Sequence, residues 1–206
     1  MTSEADRLFR PRPVLDDEAQ SLLRELANMA VGTGVAELAR RSLTFICLGV
    51  PHLKIMPSAE VSDWLGRFDE QGRHMAMCRV FLDPVICEAW VTLDDGFCRE
   101  VNRESPATDG SGQPADAMAH ELLQRFLVVI RNLLETGHTI DDDHALETET
   151  VLSGLSSPLL KSWGQVVAVE MSFKISAIGC GGRFVMAFSG QGGVSLSEVG
   201  RKRLIG

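Results

Sequence analysis

Two long helix-forming segments, each followed by runs typical of strands, constrain the fold of this chain more than any other feature. The first is predicted from Asp17 to about Arg41 and the second from Asp116 to about Glu135, so they begin about 100 residues apart. In the first segment, apolar residues recur on one side at helical spacing, which indicates a helix packed on a core. The order long helix, strand, short helix, two strands then recurs in outline. The sequence therefore predicts an α+β fold of two helix–strand repeats, related by pseudo-twofold symmetry, that share a largely antiparallel sheet with the two long helices outside.

Strands are predicted where apolar and β-branched residues cluster between turn residues. The first such run, Leu43 to Met56, contains Pro51, which indicates an edge or a break because proline cannot donate a ladder hydrogen bond. The remaining predicted strands are His74–Leu82 and Pro84–Leu93, which form a hairpin, and Gln165–Ser176 and Arg183–Ser189, which close the sheet.

The predicted domain organisation is a single domain made of two halves. Of the 206 residues, 45% are hydrophobic, which is enough for a substantial core. Residues 1–14 are predicted to be a flexible leader, and 15–190 the domain. Its halves, about 15–102 and 116–190, are joined by a linker at 103–115 that is rich in Ser, Pro and Gly. Residues 191–206 are predicted to be a polar tail.

Charge and composition exclude several functional classes. The formal net charge is −8, whereas proteins that bind nucleic acid or anionic lipid carry basic faces. There is no run of about 18 apolar residues, so membrane insertion is not expected. The five cysteines are scattered singly, which indicates a reducing, cytoplasmic location. Because the cysteines and histidines do not cluster, we expect no metal and no cofactor bound by this chain itself.

Two further features each have a catalytic and a structural interpretation. Asp141–Asp143 beside His144 could ligate a metal ion, but the run lacks the spaced oxygens and the glycine of a hard-ion loop, which favours a solvated loop. Cys180 lies between two predicted strands. An active-site thiol needs a base nearby, and none is evident in the sequence, so a hairpin turn is favoured.

The first helix carries a polar stripe beside its apolar face. Ser21, Glu25 and Asn28 are spaced i, i+4, i+7, and Gly32 follows one turn later, so all four lie on one side. A glycine in the middle of a helix costs up to about 1 kcal/mol relative to alanine, and close approach of another backbone is one reason to retain it. Val31 and Val35 flank the stripe and would be exposed unless a partner covered them.

A motif in this helix and the following strand resembles that of the CheC/CheX/FliY phosphatases of bacterial chemotaxis, and the chain is most similar to the CheC-like proteins. It reads Ser21-x-x-x-Glu25-x-x-Asn28, followed by 22 residues and then Pro51. The stretch 26–38 is similar to the glycine-rich region of CheC. Outside 21–51 the resemblance lies in the two-halved, CheC-like architecture and in the length.

The resemblance implies a phosphatase of the aspartyl phosphate of a CheY-like response regulator, whose receiver domain supplies the phosphoaspartate and the Mg²⁺. Asn28 would position the attacking water, and Glu25 would pair with the receiver lysine. Ser21, Gly32 and Pro51 belong to the supporting motif. Because a neutral amide is a poor base, the implied mechanism is alignment of water rather than proton abstraction. A CheD-like protein is a second partner that the resemblance suggests.

The second long helix departs from CheC, which has two copies of the site. Its nearest match contains Glu121 and Gln124, with no asparagine, and Glu147 stands where the motif has proline. This second half-site is therefore predicted to be degenerate, which leaves one working site. A glutamine positions water in other phosphatases of this pathway, so residual activity there is left open.

A non-catalytic role is the alternative. The middle domain of the flagellar switch protein FliM resembles the same fold, serves as a scaffold and lacks the Glu/Asn pair, whereas this chain keeps one pair. The alternative function is a module that binds a receiver or a CheD-like protein of the flagellar and chemotaxis system. Replacement of Glu25 and Asn28 by alanine discriminates between the two functions.

Overall fold

The computed structural model describes residues 15–69, 74–82, 85–104, 114–136 and 158–204. Its helices are α1 (Asp17–Ser42), a 3₁₀ helix (Ser58–Glu60), α2 (Val61–Asp69), α3 (Asp95–Glu104), α4 (Ala115–Thr136), α5 (Pro158–Ser162) and α6 (Gly190–Leu204). Its strands are β1 (Ile46–Leu48), β2 (His52–Pro57), β3 (His74–Leu82), β4 (Val85–Leu93), β5 (Gln165–Ile175) and β6 (Gly181–Ser189). The bounds of α1 and α4 agree with the predicted ones to within one residue.

Within the described ranges, the strands form one antiparallel sheet to which both halves of the chain contribute. β4 pairs with β3 on one side and with β6 on the other, and β6 pairs with β5. β1 and β2 both pair with β5 along the same edge. Strands from the first half thus pair directly with strands from the second. This confirms the predicted α+β fold with a shared, antiparallel sheet.

The predicted strands correspond to observed ones. Pro51 lies between β1 and β2, so the predicted break in the first run is confirmed. β3 and β4 pair from Leu82 opposite Val85 back to His74 opposite Leu93, and the residues between the two strands lie outside the described ranges. β5 and β6 also form, and the turn between them contains a glycine with φ of 71°.

The helices pack on both faces of the sheet. α1 and α4 contact each other, α1 also contacts β1, β2 and β5, and α4 also contacts β3 and β4. In the main core, the ring of Phe126 from α4 packs edge to face on Phe173 and Phe184, at centroid distances of 6.2 and 5.2 Å. A smaller core under α2 and α5 contains Trp64 and Trp90, whose centroids are 5.5 Å apart. The sheet is thus covered on one face by the long helices, α3 and α6, and on the other by α2 and α5.

The C-terminal segment corrects one prediction. Instead of a polar tail from residue 191, the chain continues from β6 directly into α6, which packs against α1 and α4. At Gly200 an added Cβ would lie 2.3 Å from Cδ2 of Leu22, so the glycine permits this approach. Arg201 pairs with Glu18 at 3.1 Å. The helix was missed because glycine and serine are frequent in its first half, and packing rather than propensity stabilises such a helix.

His74 links the starts of α3 and α4 to the sheet. Its Nε2 lies 2.7 Å from Oδ1 of Asp95, and its Nδ1 lies 3.1 Å from Oδ1 of Asp116. The hydrogen bond with Asp95 is the largest cause of a raised pKa for His74; desolvation opposes it, and Asp116 adds to it. A raised folded-state pKa stabilises the fold fully below the unfolded pKa of 6.5, and this stabilisation is lost as the pH rises through the folded value.

We therefore expect His74→Gln to lower the free energy of unfolding more at about pH 5.5 than at about pH 8.5. At the lower pH the wild-type imidazolium pairs with two carboxylates, whereas at the higher pH the neutral ring does not. Urea unfolding of wild type and variant at both pH values measures the difference, with His52→Gln, at an exposed position, as the control. An equal loss of unfolding free energy at both pH values would contradict the pairing of protonated His74 with Asp95 and Asp116.

Candidate functional site

α1 presents the polar stripe to solvent. Ser21, Glu25 and Asn28 are all exposed. The other side of the helix is fully buried, as at Leu23 and Ala30. Because residues at i, i+4 and i+7 lie within about 60° around a helix, the three side chains belong to one surface. The Ser21 hydroxyl donates a hydrogen bond to the carbonyl of residue 17 at 2.8 Å, so it is already engaged by its own helix.

Glu25 and Asn28 have no hydrogen-bond or ion-pair partner among the residues that the structure describes. Side chains three apart on a helix are neighbours, with about 5–6 Å between Cβ atoms. A carboxylate accepts hydrogen bonds from a cation, and an amide both donates and accepts. The pair can therefore engage a cation and a water molecule that meet at one point on a partner protein.

The position of this pair is determined by how α1 is anchored. α1 packs against α4 and α6 and also against β1, β2 and β5. At its N-terminus, Asp16 caps the helix by accepting a hydrogen bond from the backbone N–H of Ala19 at 2.7 Å. The helix therefore holds the exposed carboxylate and amide on a backbone fixed by the core.

The sequence-based expectation for Val31 and Val35 is wrong. Val31 is fully buried, and Val35 is 3% exposed, without any partner protein. The reason is that α1 lies against the edge strands as well as against α4, so its buried arc is wider than the leucine pattern indicates. These two valines therefore give no support to a covered surface.

Of the glycines in α1, Gly34 rather than Gly32 is the one that close packing requires. An added Cβ at Gly32 would meet only Cδ1 of Leu48, at 3.7 Å, which is an ordinary contact. At Gly34 it would lie 2.6 Å from two ring carbons of Phe126 in α4. Gly32 lies half-buried at the end of the stripe, and the flat spot for a partner there stays a prediction.

Pro51 lies half-buried between the two edge strands that run beside α1. Just before it, the backbone N–H of Gly49 donates to the carbonyl of Ser172 in β5 at 2.7 Å. An added Cβ at Gly49 would lie 2.3 Å from the Ser172 hydroxyl oxygen, so this position also requires glycine. Pro51 therefore shapes the path of the chain beside the stripe, and its part in a functional motif stays a prediction.

The chain after α1 exposes apolar side chains that the sequence analysis did not assign to the site. Their exposed fractions are 83, 76, 41 and 74% for Leu43, Phe45, Leu48 and Val50. Cδ1 of Leu48 lies 3.7 Å from the point where a Cβ on Gly32 would be, at the end of the stripe. The sequence does contain a signal, because no charged residue occurs between Arg41 and His52. An exposed, uncharged run of this kind is typical of an interaction surface.

The second half-site is arranged differently from the first. Glu121 Oε1 lies 2.7 Å from Nη2 of Arg41 in α1 and 3.1 Å from Nη2 of Arg125. Gln124 Nε2 lies 3.5 Å from Nε2 of His120. Glu121 and Gln124 are both half-buried. The carboxylate that corresponds to Glu25 is therefore engaged in two ion pairs, and the one with Arg41 joins the two long helices.

The other features considered from the sequence are metal ligands, Cys180 and membrane-spanning helices. Within the described ranges, no group of three or more His, Cys, Asp or Glu side chains is arranged to hold a metal ion. The run 141–144 lies outside those ranges. Cys180 is a free, half-buried thiol at the β5–β6 connection. None of the described helices has the length and apolar content needed to cross a membrane.

By sequence, no known family and no curated protein matches the chain. Its fold is similar to that of FliY from Thermotoga maritima, with a TM-score of 0.61 and 14% identity over 92% of this chain and 99% of that one. It is also similar to FliM middle domains. The H. pylori domain has a TM-score of 0.54 and 7% identity, covering 89% of this chain and 99% of that one. The Vibrio alginolyticus domain has a TM-score of 0.51 and 12% identity, covering 85% and 98%. The predicted resemblance is therefore confirmed as a shared fold.

Proposed function

We propose that this chain is a phosphatase that hydrolyses the aspartyl phosphate of a CheY-like response regulator. The observation that carries the proposal is the pair Glu25 and Asn28, exposed and unpartnered among the described residues on a helix whose opposite side is buried. The match of the helix and Pro51 to the phosphatase motif supports it, and so does the fold shared with FliY. Because a receiver domain acts in the cytoplasm, we propose that location for this chain as well.

In the proposed mechanism the receiver supplies the acyl phosphate, its lysine and the Mg²⁺ that neutralises charge on the phosphoryl group. Glu25 accepts a hydrogen bond from the lysine ammonium, which sets the register of the two proteins. Asn28 hydrogen-bonds a water molecule and aligns it with the phosphorus atom. Attack by this water breaks the bond between phosphorus and the carboxylate oxygen. The aspartate leaves as an anion, and the water's proton passes to phosphate or solvent. Alignment is enough because acyl phosphates are intrinsically reactive.

The second half-site is proposed to have a structural rather than a catalytic role. Glu121 already pairs with Arg41 and Arg125, so its carboxylate is engaged by two guanidinium groups. A receiver lysine would have to displace them to bind there. We therefore assign one catalytic pair to the chain.

A non-catalytic docking module is the second candidate function. Two FliM structures from H. pylori with a similar fold, at TM-scores of 0.50 and 0.51, are complexes with SpeE and FliG. The same fold can thus serve as a binding platform. On this alternative, the chain would bind a receiver or a CheD-like protein, and Glu25 and Asn28 would contribute affinity only.

The deciding experiment measures phosphate release from a Mg²⁺-loaded, phosphorylated CheY-type receiver of the same organism. Wild type is compared with the Glu25→Ala/Asn28→Ala variant. Faster release with wild type alone supports the phosphatase. Binding of the phosphorylated receiver with no change in release rate identifies the docking module instead.

A further inference from the structure

The exposed apolar residues after α1 adjoin the proposed catalytic pair. We define the apolar strip as Leu48 and Val50, which are 41 and 74% exposed. Leu48 lies against Gly32, with Cδ1 3.7 Å from the position of an added Cβ. Gly32 follows Asn28 by four residues on the same side of α1, which is about 6 Å along the helix axis. Leu48 therefore borders the side of α1 that carries the catalytic pair.

An interface of the usual size that is centred on Asn28 extends as far as this strip. A standard interface buries about 800 Å² on each partner, which corresponds to a patch about 16 Å in radius. Leu48 lies well inside that radius, and Val50 follows it by two residues. A partner whose interface is centred on Asn28 therefore reaches Leu48, and Val50 lies near the margin of that interface. Exposed apolar side chains that a partner buries supply much of the binding energy of such an interface.

Charge argues against a second copy of this chain as the occupant. The exposed side of α1 carries Asp17 and Glu25, and the chain has a formal net charge of −8. A twofold contact centred on Glu25 would place that carboxylate opposite its own copy. A partner that presents a cation surrounded by apolar residues complements the surface instead.

We propose that the apolar strip is the docking surface for the phosphorylated receiver and supplies binding energy, while Glu25 pairs with the receiver lysine and Asn28 positions the attacking water. This inference rests on the proposed phosphatase function. The strip makes a contact that is the same in the substrate complex and in the transition state. Loss of such a contact raises KM and leaves kcat nearly unchanged.

The test measures kcat and KM for the phosphorylated, Mg²⁺-loaded receiver with the Leu48→Ser/Val50→Ser variant. We expect KM to rise about tenfold, with kcat within about twofold of wild type. Ile86→Ser is the matched control, because Ile86 is 47% exposed on β4, away from α1. Val50→Ser alone changes a highly exposed position and should leave the fold intact. We expect it to raise KM by less than the double substitution does.

The outcomes separate this inference from the proposed function. If wild type is active and KM is unchanged in both strip variants, the docking surface is overturned and the proposed phosphatase function is unaffected. If wild type releases no phosphate, the proposed function fails. The docking surface is then tested by the affinity for a beryllofluoride-activated receiver. Weaker binding by the strip variants than by wild type supports the docking surface, and equal binding overturns it. Dissociation of a wild-type dimer by the strip substitutions, with receiver binding unchanged, assigns the strip to self-association and also overturns it.

Discussion

Asn28→Ala is expected to lower kcat for receiver dephosphorylation by about 100-fold, because misplacement of a reacting group by about 1 Å already has an effect of that size. Without the amide, the attacking water is no longer held in line with the phosphorus atom. The variant should fold normally, since Asn28 is exposed and has no partner among the described residues. Single-turnover phosphate release at saturating enzyme measures the effect on the chemical step directly.

Two further variants make the result specific. Thr33→Ala changes an exposed polar side chain of the same helix outside the stripe, and it should leave kcat and KM unchanged. Glu25→Ala should raise KM as well as lower kcat, because the pairing with the receiver lysine sets the register of the complex. If Asn28→Ala retains full kcat, water alignment by this residue is wrong and the docking module becomes the better interpretation.

Gly34→Ala is expected to lower the free energy of unfolding by about 1–2 kcal/mol. The new Cβ would lie 2.6 Å from Cδ1 and Cε1 of Phe126. That ring is fully buried and packs on Phe173 and Phe184, so it has little room to move. Overpacking of a core costs about 1–3 kcal/mol, and the gain in helix propensity offsets at most about 1 kcal/mol. Urea unfolding of wild type and variant provides the measurement.

Gly32→Ala is the matched control for this prediction, because it makes the same change two residues away. Its new Cβ would meet only Leu48, at 3.7 Å. The substitution should therefore raise the free energy of unfolding, by up to about 1 kcal/mol. Equal effects of the two substitutions would show that α1 and α4 do not approach each other as closely as the structure indicates.

Much of the fold and of the candidate site could be predicted from local patterns. The bounds of α1 and α4 follow from apolar periodicity over more than 20 residues, where the signal is strongest. The break at Pro51 follows from its missing N–H. That Ser21, Glu25 and Asn28 are exposed together follows from helix geometry alone, because the leucines determine which side of α1 faces the core.

Other features depend on contacts between distant parts of the chain. The sequence cannot show that Gly34 rather than Gly32 lies against Phe126, because that depends on how α1 crosses α4. It cannot show that Arg41 pairs with Glu121 for the same reason. The burial of Val31 depends on the strands packed beside α1. α6 lacks a strong pattern of its own, since α1 and α4 provide the packing that stabilises it.

The sequence by itself therefore determined the two long helices, the strands, the α+β class and the exposed acid–amide pair, since each is encoded by residues within a few turns of one another. Only the tertiary structure decided what surrounds that pair. It buried Val31 and Val35, engaged the carboxylate of the second half-site and left Leu48 and Val50 uncovered beside Gly32. Burial is a property of the packed molecule, and periodicity within one element cannot report which side chains another element covers.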